Sequence, residues 1–368
     1  MLRTGIFFLI SILLMGSYGL AQISSFLIKP YLYTIKGSEW ALSWAYESGD
    51  GVQSTVKLQI NGNTVYVNGN FTNGLYTARL PLAKCDFGDV AYEVPGMTEA
   101  RKINNVPCPE SVEVTKFSFM ADTQEGRDDD KTFATNVAKF NGSAVLLGGD
   151  LVETGAIYKE WVGFFEALNP AIQSEMLIPV VGNHEYHENK KVPLWELFFQ
   201  TEAAEDFYAL DIGPVHVIAI NSCFTDEPSI RLKQLTWLNQ ELAKPSRWKV
   251  VFFHHPPFSR SIMNSKEYPK KEWRVLQQDY VPIFETHHVD LVLNGHTHLY
   301  EHSEKAGVQY LTMGPAGGVM GTHGSSNPFT IQSEKVRTIL EIEASPNSLR
   351  AVTSTISGNQ IGELTLAK

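Results

Sequence analysis

The amino-acid sequence predicts an α/β fold in two parts, a small N-terminal β-sandwich over residues 22–110 and a layered α/β domain over residues 111–368. Three observations predict it. Residues 23–110 carry short β-rich runs separated by turn residues, with almost no helical periodicity. From residue 111 onward, apolar runs alternate with amphipathic windows of helical period, the pattern of a sheet covered by helices. Five of those apolar runs end in Asp, Asn, Gln or His, and the carboxyl edge of such a sheet is where ligands bind.

The elements follow in order. Residues 1–21 hold one Arg, an apolar stretch over 6–15 and small residues up to Ala21. That is the form of a cleaved export signal, so the mature chain is expected in the periplasm or outside the cell, without a membrane span. Residues 39–46, 54–60 and 64–67 read as strands, with turns at Asn61-Gly62-Asn63 and Asn68-Gly69-Asn70. Trp40 and Trp44 are the expected anchors of their core. Pro107 and Pro109 interrupt any continuing ladder and set the boundary near residue 110. Beyond it, helices are expected over 130–140, 158–168, 231–242 and 272–285, a further strand over 215–220, and closing antiparallel strands over 337–356.

At 368 residues and 43% hydrophobic content, the chain is long enough for two domains, each with a core of its own. A formal net charge of −10 excludes a nucleic-acid binder held by a general basic surface. An anionic substrate would need a local attraction, which bound cations supply. Of the three cysteines, Cys85 and Cys108 share the first part and either pair after export or remain thiols. Cys223, at the end of an apolar run, reads as a packed thiol.

The run over 116–121 leads into Asp122 and Gln124, 143–147 into Gly148-Gly149-Asp150, and 177–181 into Gly182-Asn183-His184-Glu185. Residues 248–253 lead into His254-His255, and 289–293 into Asn294-Gly295-His296-Thr297-His298. Two histidines at i and i+2 beyond a strand end can diverge and serve two ions. Two divalent ions need three or four protein ligands each, with a carboxylate shared between them. Asp122, Gln124, Asp150, Asn183, His254, His296 and His298 meet that need. Mixed nitrogen and oxygen donors suit zinc, manganese or iron better than calcium or magnesium.

This ordered set, D-x-Q, GD, GNHE, a strand ending in His and then GHTH, resembles that of the calcineurin-like metallophosphoesterases. It is most similar to the purple acid phosphatases and their bacterial relatives. The stretch 295–301 resembles their GHxHxYE, and the segments 234–242, 207–216 and 314–318 also have counterparts there. The resemblance implies a fibronectin III-like N-terminal sandwich followed by a four-layer αββα domain. It places Asp122, Gln124 and His298 on one metal and Asn183, His254 and His296 on the other, with Asp150 bridging. His184 matches the residue that holds the scissile phosphate and protonates the leaving oxygen. The implied activity is attack by hydroxide, formed at the metal pair, on a small phosphomonoester, as in acid phosphatases. Alternatives are a phosphodiesterase or nucleotide pyrophosphatase on the same metals, or a non-catalytic secreted binding protein.

The sequence departs from that family at several positions. Glu153 stands where purple acid phosphatases have their metal-binding Tyr, so divalent ions and no purple absorption band are expected. Gln124 replaces a common His and binds metal directly or through water. His302 stands in place of an Arg, and the substrate-contacting histidine pair that the plant enzymes carry beyond the strand histidine is not at the corresponding spacing. His255 either lines the pocket or caps a strand end. His187 is expected in a solvated loop, His287 and His288 at a helix terminus, and His216 in a structural role. His323 falls in a Gly/Ser-rich segment expected to form a mobile rim, and Asp128, Asp129 and Asp130 in a solvated helix start.

Overall fold

The computed structural model describes residues 25–47, 54–82, 90–104, 114–124, 126–186, 192–201, 207–224, 227–261, 271–324 and 326–368. The expected export signal, Cys85, Cys108, the boundary prolines and His187 lie outside the described residues.

The first strands are β1 (Phe26–Ile35), β2 (Glu39–Tyr46), β3 (Thr55–Ile60), β4 (Asn63–Asn68), β5 (Asn70–Thr72), β6 (Leu75–Leu80), β7 (Val90–Glu93) and β8 (Arg101–Ile103). Then strands and helices alternate: β9 (Thr115–Met120), α1 (Arg127–Phe140), β10 (Ala144–Leu147), α2 (Tyr158–Ile172), β11 (Met176–Pro179), α3 (Pro193–Phe199), β12 (Tyr208–Ile212), β13 (Val215–Ala219), α4 (Pro228–Leu242) and β14 (Trp248–Phe252). Next come α5 (Lys271–Val275), a π-helical turn (Leu276–Tyr280), α6 (Val281–Thr286) and β15 (Leu291–Asn294). The chain closes with β16 (Tyr300–Lys305), β17 (Val308–Thr312), β18 (Thr330–Glu334), β19 (Thr338–Ala344), β20 (Ser348–Thr355) and β21 (Gln360–Ala367).

Three sheets result. A ten-stranded sheet has the order β21-β20-β19-β9-β10-β11-β1-β2-β6-β5, a seven-stranded sheet β12-β13-β14-β15-β17-β16-β18, and a four-stranded sheet β4-β3-β7-β8. The central strands β9, β10 and β11 are parallel, as are β13, β14, β15 and β17. Their side chains alternate between two apolar layers. Phe117, Phe119, Leu146 and Ile178 face Val250, Phe252, Leu291 and Leu293 in the core between the sheets. On the outer face of the ten-stranded sheet, Val145, Leu147 and Leu177 meet Phe133 of α1 and Trp161 and Phe164 of α2. Behind the seven-stranded sheet, Val251, Phe253 and Val292 meet Leu238 of α4 and Phe284 of α6. Strands buried on both faces this way read as continuous apolar runs. The layers are helices, sheet, sheet, helices.

The N-terminal strands share this architecture. β1 pairs in parallel with β11, with Tyr33 opposite Leu177, so one sheet runs across the expected boundary. Trp40 and Trp44 are buried as expected, but in the same apolar cluster as Phe117 and Phe252. The expectation of a separate core for each part is therefore corrected. Tyr31 also reaches across: its ring stacks on Phe165 of α2 at 4.1 Å and its hydroxyl donates to the Phe198 carbonyl at 2.9 Å.

The helix expected over 272–285 contains the π turn just before Pro282. Proline has no N–H to donate to the Gln278 carbonyl, which breaks the regular ladder there. Asp130 corrects another expectation. It lies in α1 with Asp128 and Asp129 but is fully buried, paired with Arg127 at 3.0 Å, and burial pushes its carboxyl up to about 7. No helix among the described residues is long and apolar enough to cross a membrane.

Candidate metal centre

Each candidate ligand follows a strand whose side chains are locked in the two cores, so the strand ends are fixed while the backbone beyond them turns. The turns are sharp. Asp122, Gln124, Asp150, His296 and His298 all adopt left-handed backbone, with φ of 56°, 45°, 53°, 70° and 53°. Such a conformation costs a non-glycine residue on the order of 1–3 kcal/mol, and it persists only where surrounding contacts impose it. Close approach adds a second constraint. A Cβ on Gly182 would lie 2.2 Å from Asp150 Oδ1, and one on Gly295 would lie 2.5 Å from Asp122 Oδ2.

The structure brings the seven candidates to one crevice between the two sheets. Around His254 Nε2 lie Asp150 Oδ2 at 3.0 Å, Asn183 Oδ1 at 3.1 Å and His296 Nδ1 at 3.1 Å. His254 Nδ1 donates to the Gly148 carbonyl at 2.9 Å, which leaves the Nε2 lone pair facing this group. A single proton there could serve one neighbour, whereas a divalent cation would serve all four donors at once. The residues therefore fit a metal. On the other side, His298 Nε2 is 3.4 Å from Asp122 Oδ1, and its Nδ1 donates to the Val319 carbonyl. Gln124 Oε1 and His298 Cε1 both press on Gly318, where a Cβ would lie 2.2 Å from the first and 2.9 Å from the second. Ligand atoms of Asp122, Asp150 and His254 lie within 4.8 Å of one another, so Asp150 stands where the two groups join.

Electrostatics match this arrangement. Burial opposes the charge on Asp150, but His254 and His184 outweigh it and hold the carboxyl below its usual range. Burial likewise opposes the cation of His254, and Asp150 overcomes it and raises the imidazole. His184 sits at the open side, with Nε2 3.9 Å from Asp150 Oδ2 and Nδ1 2.7 Å from the Glu153 carbonyl. Burial works against its cation too, yet Asp150 and the Glu153 carbonyl carry its pKa above the ordinary value.

Sequence reasoning missed the residues that hold these turns. Glu185 is buried and accepts three backbone N–H groups: Asp150 at 2.9 Å, Leu151 at 2.7 Å and Gly182 at 2.7 Å. Its carboxylate thus ties the loop after β10 to the loop after β11. Its place directly after His184 was the available signal. Glu301 does the same on the seven-stranded side, accepting from Arg260 N at 2.8 Å, Asn327 Nδ2 at 2.7 Å and Thr330 Oγ1 at 2.7 Å. Arg337 had no local signal. It donates to the Gly318 carbonyl at 2.6 Å and pairs with Asp129 at 3.0 Å, next to the carbonyl that orients His298.

The other histidines and Cys223 resolve in the same way. In the segment around His323, Gly321 N donates to the His298 carbonyl, Gly324 N to the Arg260 carbonyl, and His323 Nε2 meets Ser333 Oγ at 2.8 Å. His216 lies between Asp211 at 2.6 Å and Glu241 at 3.1 Å, near the start of β13 and away from the crevice. His287 caps α6, and Cys223 is a partly buried thiol facing the Val181 carbonyl at 3.9 Å. His255 lies within the crevice, one of its ring nitrogens within 4.8 Å of those of His254 and His296.

The chain is similar to known proteins in sequence and in fold. The profile described as "Calcineurin-like phosphoesterase" matches residues 115–300. Purple acid phosphatase 18 of Arabidopsis thaliana is 25% identical over 197 residues, 47% of this chain and 43% of that protein. A purple acid phosphatase of Glycine max is 26% identical over 215 residues, 51% of this chain and 44% of that protein. The match thus spans less than half the length of either relative. Among solved structures, the yellow lupin purple acid phosphatase PPD1 superposes with a TM-score of 0.76 over 92% of this chain and 74% of that one. A structure of PhoD does so with a TM-score of 0.64 over 93% and 88%. At 14% and 11% identity, these two likenesses concern the fold.

Proposed function

The chain belongs to the calcineurin-like phosphoesterase family, and on that footing we propose that it is an exported hydrolase removing phosphate from small organic monoesters. The observation that carries this is the convergence of Asp122, Gln124, Asp150, Asn183, His254, His296 and His298 on one crevice, with His184 at its mouth. Family membership implies divalent metal ions. In this reading there are two, zinc, manganese or iron, with Asp122, Gln124 and His298 holding one, Asn183, His254 and His296 the other, and Asp150 shared. When bound, such ions make water nucleophilic at neutral pH and offset the charge on phosphoryl oxygens.

The protein's own groups do the rest. His184 has Nδ1 fixed on the Glu153 carbonyl and Nε2 3.9 Å from Asp150 Oδ2, which places the ring to pass a proton to the departing alkoxide. Glu185 accepts N–H groups from Asp150, whose backbone is left-handed, and from Gly182 beside Asn183, and so ties the two turns together. A net charge of −10 supports a small ester substrate rather than a nucleic acid. The same proposal includes the export signal over 1–21 and a fibronectin III-like arrangement of the strands over 22–110, in which β1, β2, β6 and β5 extend the ten-stranded sheet and β4, β3, β7 and β8 form a second sheet.

One observation favours a second reading. Glu153 Oε1, 3.7 Å from His184 Nδ1, adds negative charge near the mouth, which suits a singly charged diester better than a monoester dianion. Turnover of an aryl monoester against a bis-aryl diester, with metal content measured on the same protein, separates the two. Faster monoester turnover is expected. A preference for the diester reassigns the substrate class, and inactivity toward both with manganese, zinc and iron sinks the hydrolase reading.

A further inference from the structure

His254, His255 and His296 bring three imidazoles together, but the surroundings of His255 differ from those of the two histidines whose Nδ1 faces a carbonyl. His254 Nδ1 faces the Gly148 carbonyl and His298 Nδ1 the Val319 carbonyl. A carbonyl can only accept, so in each case Nδ1 carries the hydrogen and Nε2 keeps a lone pair for a metal. His255 Nδ1 instead lies 2.9 Å from the hydroxyl of Ser222, at the end of the stretch after β13. That hydroxyl accepts the backbone N–H of His255 at 3.0 Å and, unlike a carbonyl, can donate as well as accept. Where it donates to Nδ1, the ring hydrogen sits on Nε2. In that tautomer the imidazole cannot bind a metal through Nε2 and can donate a hydrogen bond from it.

We propose that His255, oriented by Ser222, is a binding group for a phosphoryl oxygen of the substrate and not a metal ligand. The proposal rests on the phosphoesterase reading above. Its location supports it: the His255 ring is 4.3 Å from that of His296 and 4.9 Å from that of His254, so a donor there is within reach of an oxygen bound at the metal pair. His255 and Ser222 are both buried, which fixes the ring and excludes water from the Ser222 contact. Ser222 acts through His255 and is a positioning residue.

The test uses the metal-loaded protein and inorganic phosphate as the probe, with binding followed by calorimetry and metal content by elemental analysis. His255→Ala is expected to weaken phosphate binding by about tenfold or more with metal content unchanged, since a hydrogen bond to a charged group is lost. His255→Gln, which keeps an N–H donor at similar reach, is expected to recover part of that loss, and it guards against a fold defect in the alanine variant. Ser222→Ala is expected to raise the phosphate dissociation constant by roughly threefold, the share of one neutral hydrogen bond. Loss of metal in His255→Ala and His255→Gln would make His255 a ligand and overturn the proposal, as would unchanged phosphate binding. Failure of the unsubstituted, metal-loaded protein to bind phosphate overturns the phosphoesterase reading itself and this inference with it.

Discussion

The carboxyl rim of the ten-stranded sheet delivers oxygen donors, Asp122, Gln124, Asp150 and Asn183, whereas the rim of the seven-stranded sheet delivers imidazoles, His254, His296 and His298. Each set is oriented by the other. Asp122 accepts the backbone N–H of His296 at 2.8 Å, and His254 donates to the carbonyl of Gly148 at 2.9 Å, both across the gap between the sheets. Neither rim is a site alone. The central core of Phe117, Phe119, Val250 and Phe252 holds the two rims in register, so burial of apolar surface far from the crevice sets the distances within it.

The most direct way to break this pairing is at the residue where the two groups join. Asp150→Asn keeps the shape but removes the charge beside His254, and hydrolysis is expected to fall by roughly a thousandfold or more with an unchanged circular dichroism spectrum. Unchanged turnover would refute the role given to Asp150. Next in size is Glu185→Ala, which leaves three buried N–H groups without their acceptor. Stability is expected to drop by about 3 kcal/mol in urea titration, together with metal content; a loss of metal without loss of stability would count against a clamp.

A carboxyl at the other end of β11 sharpens the contrast. Glu175 precedes the strand, is buried, and among the described residues has the Gly142 N–H alone to support its charge, so burial pushes its carboxyl up to about 9 from 4.5. The folded state therefore keeps a proton that the unfolded chain releases. The stability associated with that proton is fully present below pH 4.5 and is lost progressively as pH rises toward about 9. Glu175→Gln should flatten this decline and raise stability at pH 8 by on the order of 2 kcal/mol, with hydrolysis unchanged. A steeper decline in the variant would show that Glu175 is ionised and supported in the folded protein. The smallest effect is expected at Arg337→Ala, which frees the Gly318 carbonyl beside the one that orients His298. In the proposed two-ion centre, one ion should weaken by about tenfold in a manganese titration while the other holds. Equal weakening of both would place Arg337 outside this support.

The ligands of both rims were readable; the residues that support them were not. Apolar runs ending in Asp122, Asp150, Asn183, His254, His296 and His298 could be seen one by one, because a strand buried on both faces leaves a continuous apolar signature. Helices α1, α2 and α4 also lay close to where their periodicity put them. The short α3 went unseen, being two turns of helix with no periodic window to reveal it. Glu185 and Glu301 stood inside the motifs, yet their work is with backbone N–H groups that sequence does not display. Arg337 and Ser222 gave no local sign at all.

Residue order alone established which chemical groups stand at the strand ends, since a strand's period and its terminating turn are local properties. It also established that those groups suit divalent metals. Folding in three dimensions decided the rest: that β1 joins the catalytic sheet through β11, that His255 faces a hydroxyl while His254 faces a carbonyl, and that donors from two sheets share one crevice. Those facts depend on contacts between residues up to 174 positions apart, such as His296 with Asp122. Only the packing of one sheet against the other brings such residues together.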